Sequence, residues 1–220
     1  MKKKVNIARK ILGENDRYAF DNIMLFQEKK AFCLNMISSP GSGKTTILTR
    51  TITDLQGRLK LGVIEGDIQT DLDAERIRAT KAPAIQVNTQ GACHLSAKQV
   101  REALDQLPVA DLDLVFIENV GNLVCPSDFN LGENGKVVVL SVTEGDDKPA
   151  KYPGIFAKAK ALLINKIDLL QAGLVDFDIE RAKVDARVLN KDIRIFPVSA
   201  RTGEGFDLWC DWLVGCAGQR

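Results

Sequence analysis

The chain has 220 residues, 45% hydrophobic and 27% charged, enough for one large domain with a real core and typical of a water-soluble globular protein. Its 30 lysines and arginines nearly cancel its 29 aspartates and glutamates, so no overall field recruits nucleic acid or an anionic membrane. The basic start "MKKKVNIARKILGENDRYAF" lacks the apolar run of a secretory signal, no segment nears the roughly 20 apolar residues of a membrane span, and five scattered cysteines form no disulfide framework; the expected compartment is a reducing cytoplasm.

Residues 1–30 are predicted to be a helical extension, with Val5, Ile11, Leu12, Tyr18, Ile23 and Met24 interleaved among lysines and acids. Residues 31–220 are predicted to form a single α/β domain. In it "AFCLNMIS", "KLGVIEGD", "LDLVFIEN", "KVVVLSVT", "ALLINKID" and "IRIFPVSA" read as strands buried on both faces. Between them "KTTILTRTITDLQ", "SAKQVREALDQL", "FDIERAKVDARVLN" and "GFDLWCDWLVG" carry helical composition. This alternation predicts a three-layer fold, a mostly parallel central sheet with helices on both faces, whose ligands sit at the carboxyl ends of the strands.

The first such end is "SSPGSGKTT", residues 38–46, which fits the phosphate-loop pattern G-x-x-x-x-G-K-[ST] except that Ser38 takes the place of the first glycine. Gly41 and Gly43, with Pro40 and Ser42, let the backbone curl so that several N–H groups point at a phosphate. Lys44 is placed to reach the β- and γ-phosphates, the Thr45 hydroxyl to hold Mg²⁺, and Thr46 to complete the cradle at the helix N-terminus. Those residues define a P-loop NTPase domain.

Two acids close later strands: Asp67 in "VIEGD" and Glu118 in "LVFIENVG". One is expected to bind Mg²⁺ through water and the other to orient the water that attacks the γ-phosphate, with Lys44, Asp67 and Glu118 as the catalytic set; which acid does which stays open. Asp71 and Asp73 either line the same region or cap the following helix. Gly121 lets a backbone N–H approach the γ-phosphate and makes its loop a nucleotide sensor.

Base choice is read from "INKID" and "VSAR". A carboxylate at Asp168 can accept from both N1–H and the exocyclic amine of guanine, whereas adenine would leave it unpaired. Asn165 is expected on the N7 side, the Lys166 stem over one ring face, and Ser199, Ala200 and Arg201 around O6, with the N–H near Ala200 as donor. The substrate predicted is GTP.

The only histidine, His94, follows Cys93 in "GACHLSAK", and Cys125 sits in "GNLVCP". Thiolate and imidazole suit nickel or zinc, whereas Mg²⁺ takes oxygen, so these would form a second, chemically distinct site. From spacing alone, a buried cysteine and a solvent-facing histidine is the slightly favoured reading over a metal site. Three ligands leave a tetrahedral site short, which a two-fold dimer could complete. Cys33 reads as buried in a strand and Cys210 as helix packing; Cys216 is unassigned.

Together, "SSPGSGKTT", "EGD", "GACHL", "ENVGNLVCP", "TEGDDKPAKYPGI" and "NKIDL" closely resemble the HypB family, GTPases of the SIMIBI class that deliver nickel to [NiFe]-hydrogenase during maturation. The resemblance implies a GTP-dependent homodimer with a nickel or zinc site at the subunit interface on Cys93, His94 and Cys125. It also implies two partners, a nickel-handling maturation protein and the hydrogenase large subunit. Lys151 matches the residue that reaches the partner's nucleotide, unless it simply faces solvent. The residues before Cys33 include no cysteine or histidine, so the extra N-terminal nickel-binding motif of some members has no counterpart among them. Related accessory GTPases serve urease and cobalamin mutases, which leaves another recipient metalloenzyme as the alternative. No arginine finger can be assigned, so hydrolysis is expected to be slow without a partner.

Overall fold

A computed structural model describes the backbone of residues 2–67, 72–89 and 91–218, and the side chains of residues 13–66, 75–89 and 91–218. The strands are β1 (Phe32–Ser38), β2 (Leu61–Asp67), β3 (Ala84–Asn88), β4 (Leu114–Glu118), β5 (Gly135–Ser141), β6 (Ala159–Asn165) and β7 (Arg194–Pro197). The helices are α1 (Lys2–Lys29), α2 (Lys44–Asp54), α3 (Leu72–Arg78), α4 (Ala97–Leu104), α5 (Cys125–Asp128), α6 (Lys148–Lys151), α7 (Pro153–Lys158), α8 (Asp168–Gln171), α9 (Ile179–Leu189) and α10 (Phe206–Ala217).

Among the described residues the sheet runs β3-β2-β4-β1-β5-β6-β7, and every ladder between neighbours is parallel. Parallel strands need crossovers, and the helices supply them on both faces. On one face Leu34, Met36, Phe116, Val137 and Val139 pack with Ile47 and Leu48 of α2 and Trp209 and Leu213 of α10. The indole N–H of Trp209 reaches Thr51 Oγ1 at 2.9 Å, so the largest buried side chain carries no unmet donor. On the other face Val138, Leu140 and Ile164 meet Phe156 and the alanines Ala182 and Ala186 of α9. Further along that face Cys33, Ile64, Val115 and Ile117 meet Phe26 of α1 and Val100 and Leu104 of α4.

Six of the strands form on the apolar runs expected, although β7, at one edge of the sheet, has only Phe196 buried. β3 was not among the runs expected: at the other edge of the sheet its sequence is free to mix polar and apolar residues. Only Ala84 of its five residues is buried, so "AIQVN" carries no continuous apolar signal. Helix α1 packs on α4 and uses amides to do it. Asn15 accepts from Ala97 N at 2.9 Å and donates to Asn130 O, and Asn22 donates to Ala97 O and Leu131 O. Cys33 and Cys210 are buried in β1 and α10; Cys216 is buried in α10 as well.

Because all seven strands point the same way, their carboxyl ends share one edge of the sheet. β1, β4, β6 and β7 deliver most of the site's loops there, with Glu144 joining from the loop after β5 and Cys93 and His94 from the loop after β3.

Candidate functional site

The loop after β1 turns into α2 through Gly43, whose φ of 95° lies in the left-handed region. A Cβ there would lie 2.6 Å from Asn165 Nδ2, so both the backbone conformation and the close approach require glycine. Lys44 folds back so that Nζ donates to Ser38 Oγ at 2.9 Å. The serine that departs from the usual glycine is therefore a hydrogen-bonding partner of the phosphate-loop lysine. Thr45 Oγ1 donates to Glu118 Oε1 at 2.8 Å, both residues being buried. A hydroxyl and a carboxylate converging at the end of β4 make a hard oxygen donor set, the chemistry Mg²⁺ selects. The side chain of Asp67 lies outside the described residues, as do Asp71 and the side chain of Asp73.

The residues expected to read the base, Asn165, Lys166, Asp168, Ala200 and Arg201, line a cavity of about 240 Å³ with Gly43, Thr46 and Leu169. Asn165 is buried and braces two loops: Nδ2 donates to Ser42 O at 2.9 Å, and Oδ1 accepts from Ala200 N at 3.1 Å. The Ala200 N–H expected to meet guanine O6 is thus held by Asn165 here. Asp168 Oδ1 accepts from Ser199 Oγ at 2.6 Å, which aims the carboxylate, and Lys166 Nζ donates to Gly41 O at 2.8 Å, laying its stem across the cavity mouth. A second cavity, lined by Gly41, Gly43, Lys44, Thr45, Thr46, Glu118 and Lys166, adjoins it where phosphates would lie.

Sequence reading missed two contributors here. Arg76, in the last turn of α3, lines the phosphate cavity and donates from Nη2 to Thr46 Oγ1 at 3.2 Å. Glu144 Oε1 accepts from Ser42 Oγ at 2.6 Å and from Ser141 N at 3.1 Å, fixing the phosphate loop to the end of β5. Arg76 has no motif to betray it, whereas Glu144 stands inside "TEGDDKPAKYPGI". Lys151 is exposed and ion-paired within its own chain, Nζ to Asp147 Oδ2 at 2.6 Å.

The loop after β4 links the two halves. Gly121 abuts the phosphate loop so closely that a Cβ would lie 2.9 Å from Pro40 Cα. Four residues on, Cys125 opens α5. Its thiol meets Cys93 and His94, which arrive on the loop after β3, and one ligand atom from each lies within 4.8 Å of the others. Cys93 Sγ and His94 Nδ1 are 3.5 Å apart. The His94 ring rests against Phe129, centroids 3.9 Å apart. Burial pulls the imidazole below its ordinary value and so favours the neutral, metal-ligating form. The hydrogen bond with Cys125, helped by burial, pushes the Cys93 thiol up. Two thiols and an imidazole are borderline-soft donors suited to nickel or zinc and unsuited to Mg²⁺.

Fold and site together define a P-loop nucleotide-binding protein with a sulfur–nitrogen cluster that could hold a metal ion beside the loop touching its phosphate loop. Residues 33–197 match the family described as "CobW/HypB/UreG, nucleotide-binding domain". The chain is 55% identical over 216 residues to the hydrogenase maturation factor HypB of Azotobacter chroococcum, covering 98% of this chain and 70% of that one. Among solved structures, HypB from Archaeoglobus fulgidus superposes with a TM-score of 0.86 at 41% identity, covering 94% of this chain and all of that one. HypB from Helicobacter pylori in complex with nickel superposes with a TM-score of 0.88 at 38% identity, covering 94% and 96%. The chain belongs to the CobW/HypB/UreG family, and within it to the HypB hydrogenase maturation factors. No described helix is long and apolar enough to cross a membrane.

Proposed function

We propose that this chain hydrolyses GTP and that its nucleotide state governs a nickel ion held by Cys93, His94 and Cys125, for delivery during [NiFe]-hydrogenase maturation. The observation that carries the reading is the convergence of those three ligand atoms within 4.8 Å on a loop whose Gly121 rests against Pro40 of the phosphate loop. The nickel complex of the Helicobacter pylori relative supports nickel as cargo. Zinc, which accepts the same donors, is the competing ion.

In this reading Lys44 leaves Ser38 to meet the β- and γ-phosphates, while the N–H groups of residues 41–46 and the α2 dipole hold the rest of the triphosphate. Thr45 and Glu118, with Asp67 proposed alongside, would hold Mg²⁺, which offsets phosphate charge when bound. One of the two acids orients the attacking water. Asp168 accepts from guanine, Lys166 covers one face of the ring, and Ala200 N–H turns from Asn165 toward O6 as the base enters. Asn165 itself keeps the second hydrogen of its amide for the N7 side. Loss of the γ-phosphate shifts Gly121 and thereby Cys125, so metal affinity follows nucleotide state, and by linkage metal alters nucleotide affinity by the same factor.

A homodimer would complete the metal's coordination. It is supported by Val184 and Val188, which stand one turn apart on α9 with 57% and 79% of their surfaces exposed. It is supported too by exposed Lys151 on α6, which packs against α9 and is free to exchange Asp147 for a phosphate across an interface. A nickel-handling maturation protein and the hydrogenase large subunit are the proposed downstream partners.

The test is nickel titration of wild type and Cys125→Ala, each with Mg·GDP and with a non-hydrolysable GTP analogue, following mass and the thiolate-to-nickel absorbance. Wild-type affinity should differ between nucleotides and collapse in Cys125→Ala. Equal affinities in both nucleotide states would remove the coupling, and an unaffected Cys125→Ala would remove the site.

A further inference from the structure

Strand β1 carries an oddity that the nucleotide site does not use. Asn35 sits in the middle of "FCLNMIS", fully buried, in a row with Ile117 of β4 and Lys136 of β5. A buried amide is costly unless its hydrogen bonds are met, and here they are met by a line of buried polar groups. Asn35 Oδ1 accepts from Asn119 Nδ2 at 3.2 Å, and Asn35 Nδ2 donates to Glu133 Oε1 at 3.2 Å.

Each end of the line holds a ligand-bearing loop. At one end Asn119 Oδ1 accepts from Leu95 N at 3.1 Å and from Val120 N at 3.0 Å. One oxygen therefore ties the residue after His94 to the residue before Gly121. At the other end Glu133, its side chain 3% exposed, lies 3.6 Å from Lys136 Nζ and accepts from Leu131 N at 2.7 Å. The Lys136 ammonium then donates to three carbonyls, Pro126 O at 2.9 Å, Ser127 O at 3.0 Å and Phe129 O at 2.8 Å. All three belong to the turn that Cys125 opens and that ends in Phe129, the ring backing His94. An ammonium with three donors meets three carbonyls that a four-residue helix is too short to satisfy itself, Ser127 O also accepting from Lys158 Nζ at 3.3 Å.

We infer that Asn119, Asn35, Glu133 and Lys136 form one buried frame that positions His94 and Cys125 relative to each other, with Lys136 as the positioning residue for Cys125. The inference rests on the metal-site reading proposed above and adds to it what holds the ligands in place. It also gives the segment 119–129 two ends: one against the phosphate loop at Gly121, one clamped by Lys136. A shift at the first end is then delivered to Cys125 instead of being lost along a slack loop.

The test uses the full chain and nickel ion alone. Lys136→Met keeps the stem and removes the donors; Glu133→Gln/Lys136→Met removes both members of the buried pair, a change that costs less stability than breaking the pair. Expected for the folded variants is a loss of nickel affinity of about 10–100-fold, the scale of losing an outer-shell partner. A weaker thiolate-to-nickel band per bound ion should accompany it, with Mg·GDP affinity within about twofold of wild type. A folded variant with wild-type nickel affinity and spectrum overturns the inference. So does a parallel loss of nucleotide affinity, which would mark general loosening. If instead wild type and Cys125→Ala bind nickel alike, the metal-site reading is what fails.

Discussion

The two halves of the site are built to different standards of rigidity. On the nucleotide side, each loop is tied to its neighbour by a side chain: Asn165 joins residues 42 and 200, Lys166 reaches Gly41, and Glu144 holds Ser42. On the metal side, Cys93 is exposed and His94 and Cys125 are partly so. Their loops are anchored from beneath by Asn119 and Lys136, and the ligands themselves meet each other, Phe129 and the Asn122 amide, which reaches Cys93 O at 3.5 Å. A preorganised cradle suits a nucleotide that must be read accurately; an open, lightly backed cluster suits an ion that must leave.

That contrast can be broken by substitutions whose effects should stay on their own side. Asp168→Ala should cost the most, about 3–4 kcal/mol of GTP affinity from two lost charge-assisted hydrogen bonds, while nickel binding without nucleotide stays put. Competition of GTP against ATP in a fluorescent-nucleotide titration reads it, and unchanged discrimination would remove Asp168 from the base pocket. His94→Ala should weaken nickel binding by about a hundredfold, roughly 3 kcal/mol, with GDP affinity preserved, as measured by calorimetric titration. Asn165→Ala breaks the brace between the phosphate loop and residues 198–201. The expected loss is about 2 kcal/mol in GDP affinity, seen as faster nucleotide release in stopped flow. Were release unchanged, the two loops would not depend on the brace. Phe129→Ala removes only the backing of the imidazole and should cost about 1 kcal/mol of nickel affinity, some five- to tenfold. A null effect there would leave His94 held by the loop backbone alone.

How much of this could be read from residues in order differs between the same two halves. "SSPGSGKTT" is contiguous, and its function is local: a turn, a lysine and a helix start follow one another along nine residues, so the motif carries its own geometry. The runs that became β1, β4 and β5 were equally plain, because a strand buried on both faces must be mostly apolar, as β1 is even with Asn35. β3 was invisible since an edge strand need not be. Arg76 and Glu144 were missed for a related reason. Arg76 stands in a helix that nothing local marks and Glu144 in a motif that does not name its partner, and only packing brings them to Thr46 and Ser42. Asn165 was expected beside the base; its bracing role depends on where two other loops lie.

Sequence by itself determined that a triphosphate loop stands at the end of one strand, that the sheet is parallel, and that sulfur and imidazole donors are present. Short-range chemistry fixes such things, because a phosphate cradle needs only neighbours in the chain. Whether Cys93, His94 and Cys125 meet was decided by strand order. β3 and β4 flank β2, so the loops that leave them converge over its end, and the buried Asn119 amide just past β4, itself bonded to Asn35 of the central strand, ties them down. Thirty-odd residues of intervening chain carry no record of that meeting, since the contacts that produce it belong to the packed sheet.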